Sequence, residues 1–328
     1  MPKIIVPVVT IFDHSGKPDP EANKKVIDFL IQNGVDGILV LGSTGEFTEL
    51  SLREKWDFLA FYADYAGGRT ELYAGTGSVN YQQTLELSNG VYAMGYRAPL
   101  IIGPYYYGMD QEHIFTYYDT LAHNLNGNMY IYNYPARSGH SVAPETVRRL
   151  VDRNPNIVGL KDTVSSPSHT GDICLAMAGK DFEVYSGFDD QYLYNLSVGG
   201  CGSIGGLANF VPDIWRDLIA ATKAEDFSKT MKLTNLLHRL MPIYEMGSSS
   251  SLLFKKLLVC RGVEISPKAI FPFDESDNAV FNRVRSLMDE VLEEYRRLKK
   301  TEEGVCDWKT DWNEEETQWT ECKISDEK

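Results

Sequence analysis

The chain has 328 residues, 43% hydrophobic and 24% charged, enough for one large soluble domain or two medium ones. Its net charge of −14 excludes binding to nucleic acid or an anionic membrane through a bulk basic surface. The five cysteines (Cys174, Cys201, Cys260, Cys306, Cys322) have neither CxxC nor metal-ligand spacing, and an odd count without a disulfide framework suits a reducing, cytoplasmic compartment.

The amino terminus, Met1-Pro-Lys-Ile-Ile-Val-Pro-Val-Val9, is too short and too proline-punctuated for a signal peptide, and no apolar run reaches membrane-spanning length. Ile4–Val9 instead predicts a first strand. Asp19-Pro20 then supplies an N-cap with proline at the first helical position, and that helix should stop near Asn33-Gly34. A second strand is expected at Gly37–Leu41, and Ser51-Leu-Arg-Glu54 reads as a capping box opening a helix through about Ala66. The alternation continues with strands at Leu72–Ala74, Leu100–Ile102, Met129–Tyr132, Ile157–Leu160, Val184–Tyr185 and Ser203–Ile204. Helices are expected between and after them at Asn80–Met94, Gln111–Asn124, Pro144–Asp152, Ser168–Ala178, Asp190–Val198 and Pro212–Ala224. The sequon Asn195-Leu-Ser197 falls inside one of these helices and is discounted as a glycosylation site.

Eight strand–helix units in about 225 residues predict a parallel α/β sheet, and eight is the number that closes a (β/α)8 TIM barrel. An open doubly wound sheet is the competing arrangement, since periodicity does not report closure. Residues 226–299 read as additional C-terminal helices, including Phe227–Leu240 and Val280–Leu298, with apolar residues at packing spacing. The division expected is therefore a barrel over 1–225, a helical extension over 226–299 and an acidic, disordered tail over 300–328. From residue 301 onward the tail has three Lys/Arg against ten Asp/Glu, yet it holds Trp308, Trp312 and Trp319. It is either a solvated tail or a segment that docks through its aromatic residues.

Lys161 ends the apolar run Asn156-Ile-Val-Gly-Leu-Lys161 and so places an amine at a sheet edge. A desolvated amine loses its proton near neutral pH and can attack a ketone to form a Schiff base. The ordinary alternative is a lysine whose stem packs on the strand while its ammonium reaches water. Its company favours chemistry: Gly42-Ser-Thr-Gly-Glu46, Tyr105-Tyr106, Tyr132-Asn-Tyr-Pro-Ala-Arg137 and Gly187-Phe-Asp-Asp190 also lie at predicted strand ends, where barrel active sites form. The Gly42–Glu46 loop could present N–H groups and two hydroxyls to a carboxylate, although its composition is also that of an ordinary turn. Tyrosines at strand ends are usually core residues, but two tyrosines and a serine could relay the protons that Schiff-base formation requires. Gly200-Cys-Gly-Ser-Ile-Gly205 matches a dinucleotide fingerprint literally and is rejected, because it comes last among the strands rather than first and no helix opens on it. The six histidines offer no metal-ligand pair at helical spacing.

Taken together, these elements resemble the dihydrodipicolinate synthase/N-acetylneuraminate lyase family of class I pyruvate aldolases, in order and spacing, over roughly residues 3–298. The resemblance implies a carbon–carbon lyase with no separate cofactor or metal, in which Lys161 forms a covalent Schiff base with pyruvate. It implies Tyr132 as the central acid/base and Ser43 and Tyr106 as the rest of the relay, Tyr106 reaching across a subunit interface of a homotetramer arranged as a dimer of dimers. Thr44 and Gly45 would hold the pyruvate carboxylate, with the Ile204 backbone lining the same site. The second substrate, an aldehyde, is signalled in two ways. Arg137 matches the arginine of the synthase branch, which would bind the carboxylate of aspartate semialdehyde bidentately. Gly187-Phe-Asp-Asp190, with Asp189 and Asp190, Ile204-Gly-Gly-Leu-Ala-Asn209 and Gly-Leu-Lys-Asp-Thr163 look more like the lyase and 2-keto-3-deoxy sugar-acid aldolase branches. The reading taken is a sugar-acid aldolase, with the 4-hydroxy-tetrahydrodipicolinate synthase as alternative. A dehydratase and a non-catalytic 2-oxo-acid sensor are further options on the same scaffold.

Overall fold

The computed structural model describes residues 2–273 and 277–302. Eight parallel strands close in sequence order into one barrel. They are β1 (Lys3–Pro7), β2 (Gly37–Val40), β3 (Glu71–Gly75), β4 (Ala98–Ile102), β5 (Met129–Asn133), β6 (Ile157–Asp162), β7 (Glu183–Ser186) and β8 (Gly202–Ser203). The two-residue β8 pairs with β7 on one side and with β1 on the other, which excludes the open sheet. The helices between and after the strands are α1 (Pro20–Gln32), α2 (Leu52–Ala66), α3 (Tyr81–Ala93), α4 (Gln111–Asn124), the single turn α5 (Pro135–Ser138), α6 (Pro144–Arg153), α7 (Pro167–Ala176), α8 (Tyr192–Ser197) and α9 (Pro212–Lys223). Three more follow: α10 (Phe227–Leu240), α11 (Ser250–Cys260) and α12 (Asn278–Glu302). No helix among the described residues is long and apolar enough to cross a membrane. The expected disorder of the acidic tail and the docking of its tryptophans concern residues that, from 303 on, lie outside those described.

The helix starts form as their side chains dictate. Asp19 accepts from the Ala22 N–H, and Ser51 with Glu54 makes the reciprocal capping box. The first strand stops short of Val9: Val8 N–H still donates to the Leu39 carbonyl of β2, but Val9 N–H turns to Asn209 Oδ1 and leaves the ladder. Helix α11 falls within the extension read as helical, without bounds of its own in the sequence reading. It is buried on nearly every side, including Leu252, Leu253, Phe254, Leu257 and Leu258, so it shows little of the one-sided periodicity that marks a surface helix. The sequon residue Asn195 is fully buried, donating to the Val184 carbonyl and accepting from Gly202 N–H, and so is closed to glycosylation in the folded chain.

Apolar side chains pack between strands and helices in two large clusters, while a third fills the barrel lumen. In the lumen Tyr73, Tyr130 and Tyr185, from alternate strands, form a layer toward the amino ends of the strands. There Glu183 accepts from Tyr130 and Tyr185 and pairs with Arg97, and Glu71 accepts from Tyr73 and pairs with Lys3. This tyrosine and ion-pair layer plugs the lumen, and barrel sites form at the opposite, carboxyl end of the strands.

A buried ion pair fastens the extension to the barrel mouth. Lys255 of α11 is fully buried against the Phe12 ring, pairs with Glu46 and donates to the Lys268 carbonyl at 2.6 Å, while Glu46 also accepts from Ile270 N–H at 2.9 Å. Replacing one partner strands the other charge away from water. Lys255→Met is expected to lower unfolding free energy by about 3–5 kcal/mol, read as a drop in the urea midpoint, and adding Glu46→Gln should recover part of that loss.

Candidate active site

Strand register assembles the centre of the site. Tyr132 on β5 is the direct neighbour of Lys161 on β6, and Lys161 of Tyr185 on β7. The period of two in a strand sends all three side chains to the same face, into the lumen. Lys161 is 5% exposed, and its Nζ lies 4.4 Å from the centroid of the Tyr132 ring. Burial lowers its pKa to about 8, with Tyr134 and the Asp189 carboxylate offsetting part of the effect. Roughly a tenth of the amine is therefore neutral at pH 7, far more than for an ordinary lysine.

Burial raises the pKa of the Tyr132 hydroxyl, while the hydroxyls of Ser43 and Thr163 and the charge of Arg137 act to lower it. The influence of Thr163 is proximity rather than a formed hydrogen bond, since its buried Oγ1 has no partner of hydrogen-bonding geometry. Thr163 can stand there because position 187 is glycine: a Cβ at Gly187 would lie 1.8 Å from Thr163 Oγ1. Ser43, Thr44 and Gly45 form one short helical turn directly after β2. Leu41 before this turn and Glu46 after it both adopt left-handed backbone, so the loop is held in a conformation that L-residues rarely choose. Gly45 is fixed through its carbonyl, which accepts from the buried Thr10 hydroxyl at 2.8 Å. A cleft lined by Leu39, Ser43, Phe47, Gly77, Ile102 and Tyr132 leads to this point. A larger cavity, about 350 Å³, lies at the other end of the barrel beside Arg97 and Glu183, which pair with each other; it holds no lysine and none of the strand-end motifs, so size alone does not mark the site.

Asp189 is fully buried, and burial pushes its pKa up to about 6. Tyr244 donates to its Oδ2 at 2.6 Å and Leu207 N–H to its Oδ1 at 3.2 Å, so both oxygens are engaged inside the protein. Gly205 makes room for it, since a Cβ there would come within 2.3 Å of Oδ1. Tyr244, whose own hydroxyl accepts from Gly206 N–H, lies beyond the strand-end motifs and carries no sequence signal of this role.

The structure thus gathers Ser43, Thr44, Gly45, Tyr132, Lys161, Thr163, Gly187 and Asp189 at the carboxyl ends of the strands. Ile204 is buried beside them with its N–H donating to the Ser186 carbonyl. Three residues stand apart. Asp190 turns outward to His238 on α10, at 3.3 Å, so the two acidic residues do not act as a pair. Arg137 is exposed on α5, within electrostatic reach of Tyr132. Tyr106 is 86% exposed with φ 90°, its ring 5.0 Å from that of Tyr107, at the tip of the loop after β4.

A desolvated amine at the mouth of a closed parallel barrel has the chemistry to attack a carbonyl carbon. Residues 1–291 match the model of the dihydrodipicolinate synthetase family. The chain is 30% identical over 290 residues to the putative 2-dehydro-3-deoxy-D-gluconate aldolase YagE of Escherichia coli, covering 88% of this chain and 96% of that one. It is 34% identical over 226 residues to a 4-hydroxy-tetrahydrodipicolinate synthase of Nitratidesulfovibrio vulgaris, covering 69% and 77%. Among solved structures, YagE in complex with pyruvate superposes with a TM-score of 0.86 at 30% identity, covering 89% of this chain and 98% of that one. The chain belongs to the dihydrodipicolinate synthetase family, and it is a carbon–carbon lyase.

Proposed function

We propose that the protein is a class I aldolase that joins pyruvate to a hydroxyaldehyde, and cleaves the product, in the manner of a 2-keto-3-deoxy sugar-acid aldolase. One observation carries the reading: a buried amine with pKa about 8 in register with a buried tyrosine at the mouth of a closed barrel. In the first step the neutral Lys161 amine adds to C2 of pyruvate. Tyr132 delivers a proton to the departing hydroxyl, water leaves and the imine forms. The Tyr132 phenolate left by that step takes a proton from C3 to give an enamine, which attacks the aldehyde carbon; Tyr132, protonated again, gives that proton to the new alkoxide, and water then hydrolyses the imine, returning a proton to Tyr132 and freeing the product and the amine. The Ser43–Gly45 turn, with its exposed Ser43 and half-buried Thr44, suits the pyruvate carboxylate.

Relatives named for 2-dehydro-3-deoxy-D-gluconate and 2-dehydro-3-deoxy-D-pentonate aldolases support the sugar-acid class. With Asp190 turned to His238 and Asp189 engaged by Tyr244, hydroxyl recognition falls mainly to the unpartnered Thr163 hydroxyl. A second reading, the synthase that takes aspartate semialdehyde, is favoured by Arg137, a guanidinium in reach of Tyr132 and without an ion pair among the described residues. The exposed pair Tyr106 and Tyr107 supports a homotetramer in which Tyr106 completes a neighbour's site. Light scattering is expected to give four chains; a fully active monomer would remove that part of the reading.

Pyruvate with borohydride should leave one reduced pyruvyl group per chain on Lys161, seen by intact mass and peptide mapping, and its rate should rise with pH through a midpoint of about 8. Tyr132→Phe should retain the fold and cut turnover by about two to four orders of magnitude. An adduct on another lysine, or near-normal turnover in Tyr132→Phe, would overturn the mechanism.

Arg137→Ala separates the two substrate classes when assayed with saturating pyruvate. Loss of a bidentate partner costs roughly 1.5–3 kcal/mol, or about ten- to a hundredfold in kcat/KM, toward an aldehyde bearing a carboxylate. The sugar-acid reading expects small, similar effects on glyceraldehyde and aspartate semialdehyde. A selective loss on an efficiently used aspartate semialdehyde would transfer the assignment to the synthase.

A further inference from the structure

Directly behind the reactive pair, on the outer face of the sheet, lies a polar cluster that the reaction does not touch. Asn133 and Asp162 follow Tyr132 and Lys161 by one residue and are themselves register partners across β5 and β6. Both are buried, and Asn133 Nδ2 donates to Asp162 Oδ1 at 2.7 Å. Asp162 Oδ2 accepts from Thr170 Oγ1 at 2.8 Å and from His169 Nδ1 at 2.9 Å, both in the first turns of α7. The other ring nitrogen of His169, Nε2, lies 3.1 Å from the carbonyl oxygen of Val142, and Val142 N–H in turn donates to Asn133 Oδ1 at 3.0 Å. A carboxylate and a carbonyl oxygen are both acceptors, so a ring that donates from Nδ1 to one and from Nε2 to the other is an imidazolium.

We infer that His169, donating from both ring nitrogens to Asp162 and to Val142, is a positioning residue that holds Lys161 against Tyr132 from behind the sheet. The inference rests on the aldolase reading for what that alignment serves. Asp162 is the next residue to Lys161, and its carbonyl also takes the Gly187 N–H, so its side-chain anchor sets the pitch of the end of β6. Val142 ends the segment carrying Arg137, so the same imidazolium ties the aldehyde-side loop to the strand that holds the amine. The hydrogen bond to Asp162 raises the His169 pKa, with Asp172 of the same helix acting in the same direction. Of the elements packed on α7, α6 sends Arg148 to Ala176 and Asp152, β7 commits Glu183 to Arg97, and α8, Tyr-Leu-Tyr-Asn-Leu-Ser, has no charged residue.

His169→Gln removes the charge and can satisfy one acceptor while presenting its own oxygen to the other. His169→Arg keeps a cation with several donors. In nitrogen-15 spectra of the wild type, His169 is expected to show two protonated ring nitrogens at neutral pH, above the ordinary histidine value of 6.5. His169→Gln should lower kcat about tenfold, because a small misplacement of reacting groups is costly, while KM for pyruvate stays within about threefold. Borohydride should still label Lys161 in that variant, and His169→Arg should recover most of kcat. A single neutral tautomer at neutral pH, unchanged kcat in His169→Gln, or equal losses in both variants would overturn the inference. If neither variant folds, the wild-type spectrum decides. Failure of wild-type Lys161 to take up pyruvate would remove the aldolase reading instead, and leave the imidazolium to the spectrum.

Discussion

A lysine amine held out of water is the condition on which the rest of this molecule depends. A charged ammonium resists burial, and a neutral amine tolerates it; the barrel mouth uses that difference to keep Lys161 near the boundary between the two forms. The surrounding structure can be understood as the set of arrangements that make such burial sustainable. The layer of Tyr73, Tyr130 and Tyr185 closes the far end. Tyr132 supplies a π-face beside the amine, which tolerates either form. Asp189, close enough to act electrostatically but tied down by Tyr244, tempers the shift without forming a direct salt bridge that would lock the lysine in its charged state.

The fold was largely legible in the chain. Eight apolar runs separated by capped helices leave few alternatives, and caps such as Asp19 and Ser51 mark their helices because the signal is local. Closure was not local: it rests on the two residues of β8 pairing on both sides, which no periodicity reveals. The bounds of helix α11 escaped for a related reason, since burial on nearly all sides leaves little polar face to set its period.

Legibility of the site followed the same division. Residues at strand ends, Lys161 and Tyr132 above all, could be placed together because position along a strand determines both depth and face. Residues whose placement depends on loops could not. Asp189 and Asp190 are adjacent in sequence, yet one turns inward to Tyr244 and the other outward to His238, because the chain enters a short helical turn there and neighbours no longer share a direction. Tyr244 and His169 reach their partners from 55 and 7 residues away, and neither lies in a recognisable motif.

The Lys255–Glu46 pair bears on how such a protein can be altered. The left-handed backbone at Glu46 sits at the end of the Ser43–Gly45 turn, and its carboxylate is anchored to a helix more than two hundred residues further on. The two ends of that tether must therefore change together. A chimera that exchanged the early loop between relatives, or a truncation that stopped the chain after the last strand–helix unit, would separate an acid from the base that neutralises it and loosen the turn at Ser43–Gly45. Recombination points that keep residues 42–46 and 250–270 from the same parent would preserve the tether, and the interchangeable part of this barrel is better sought among its outer helices than at its mouth.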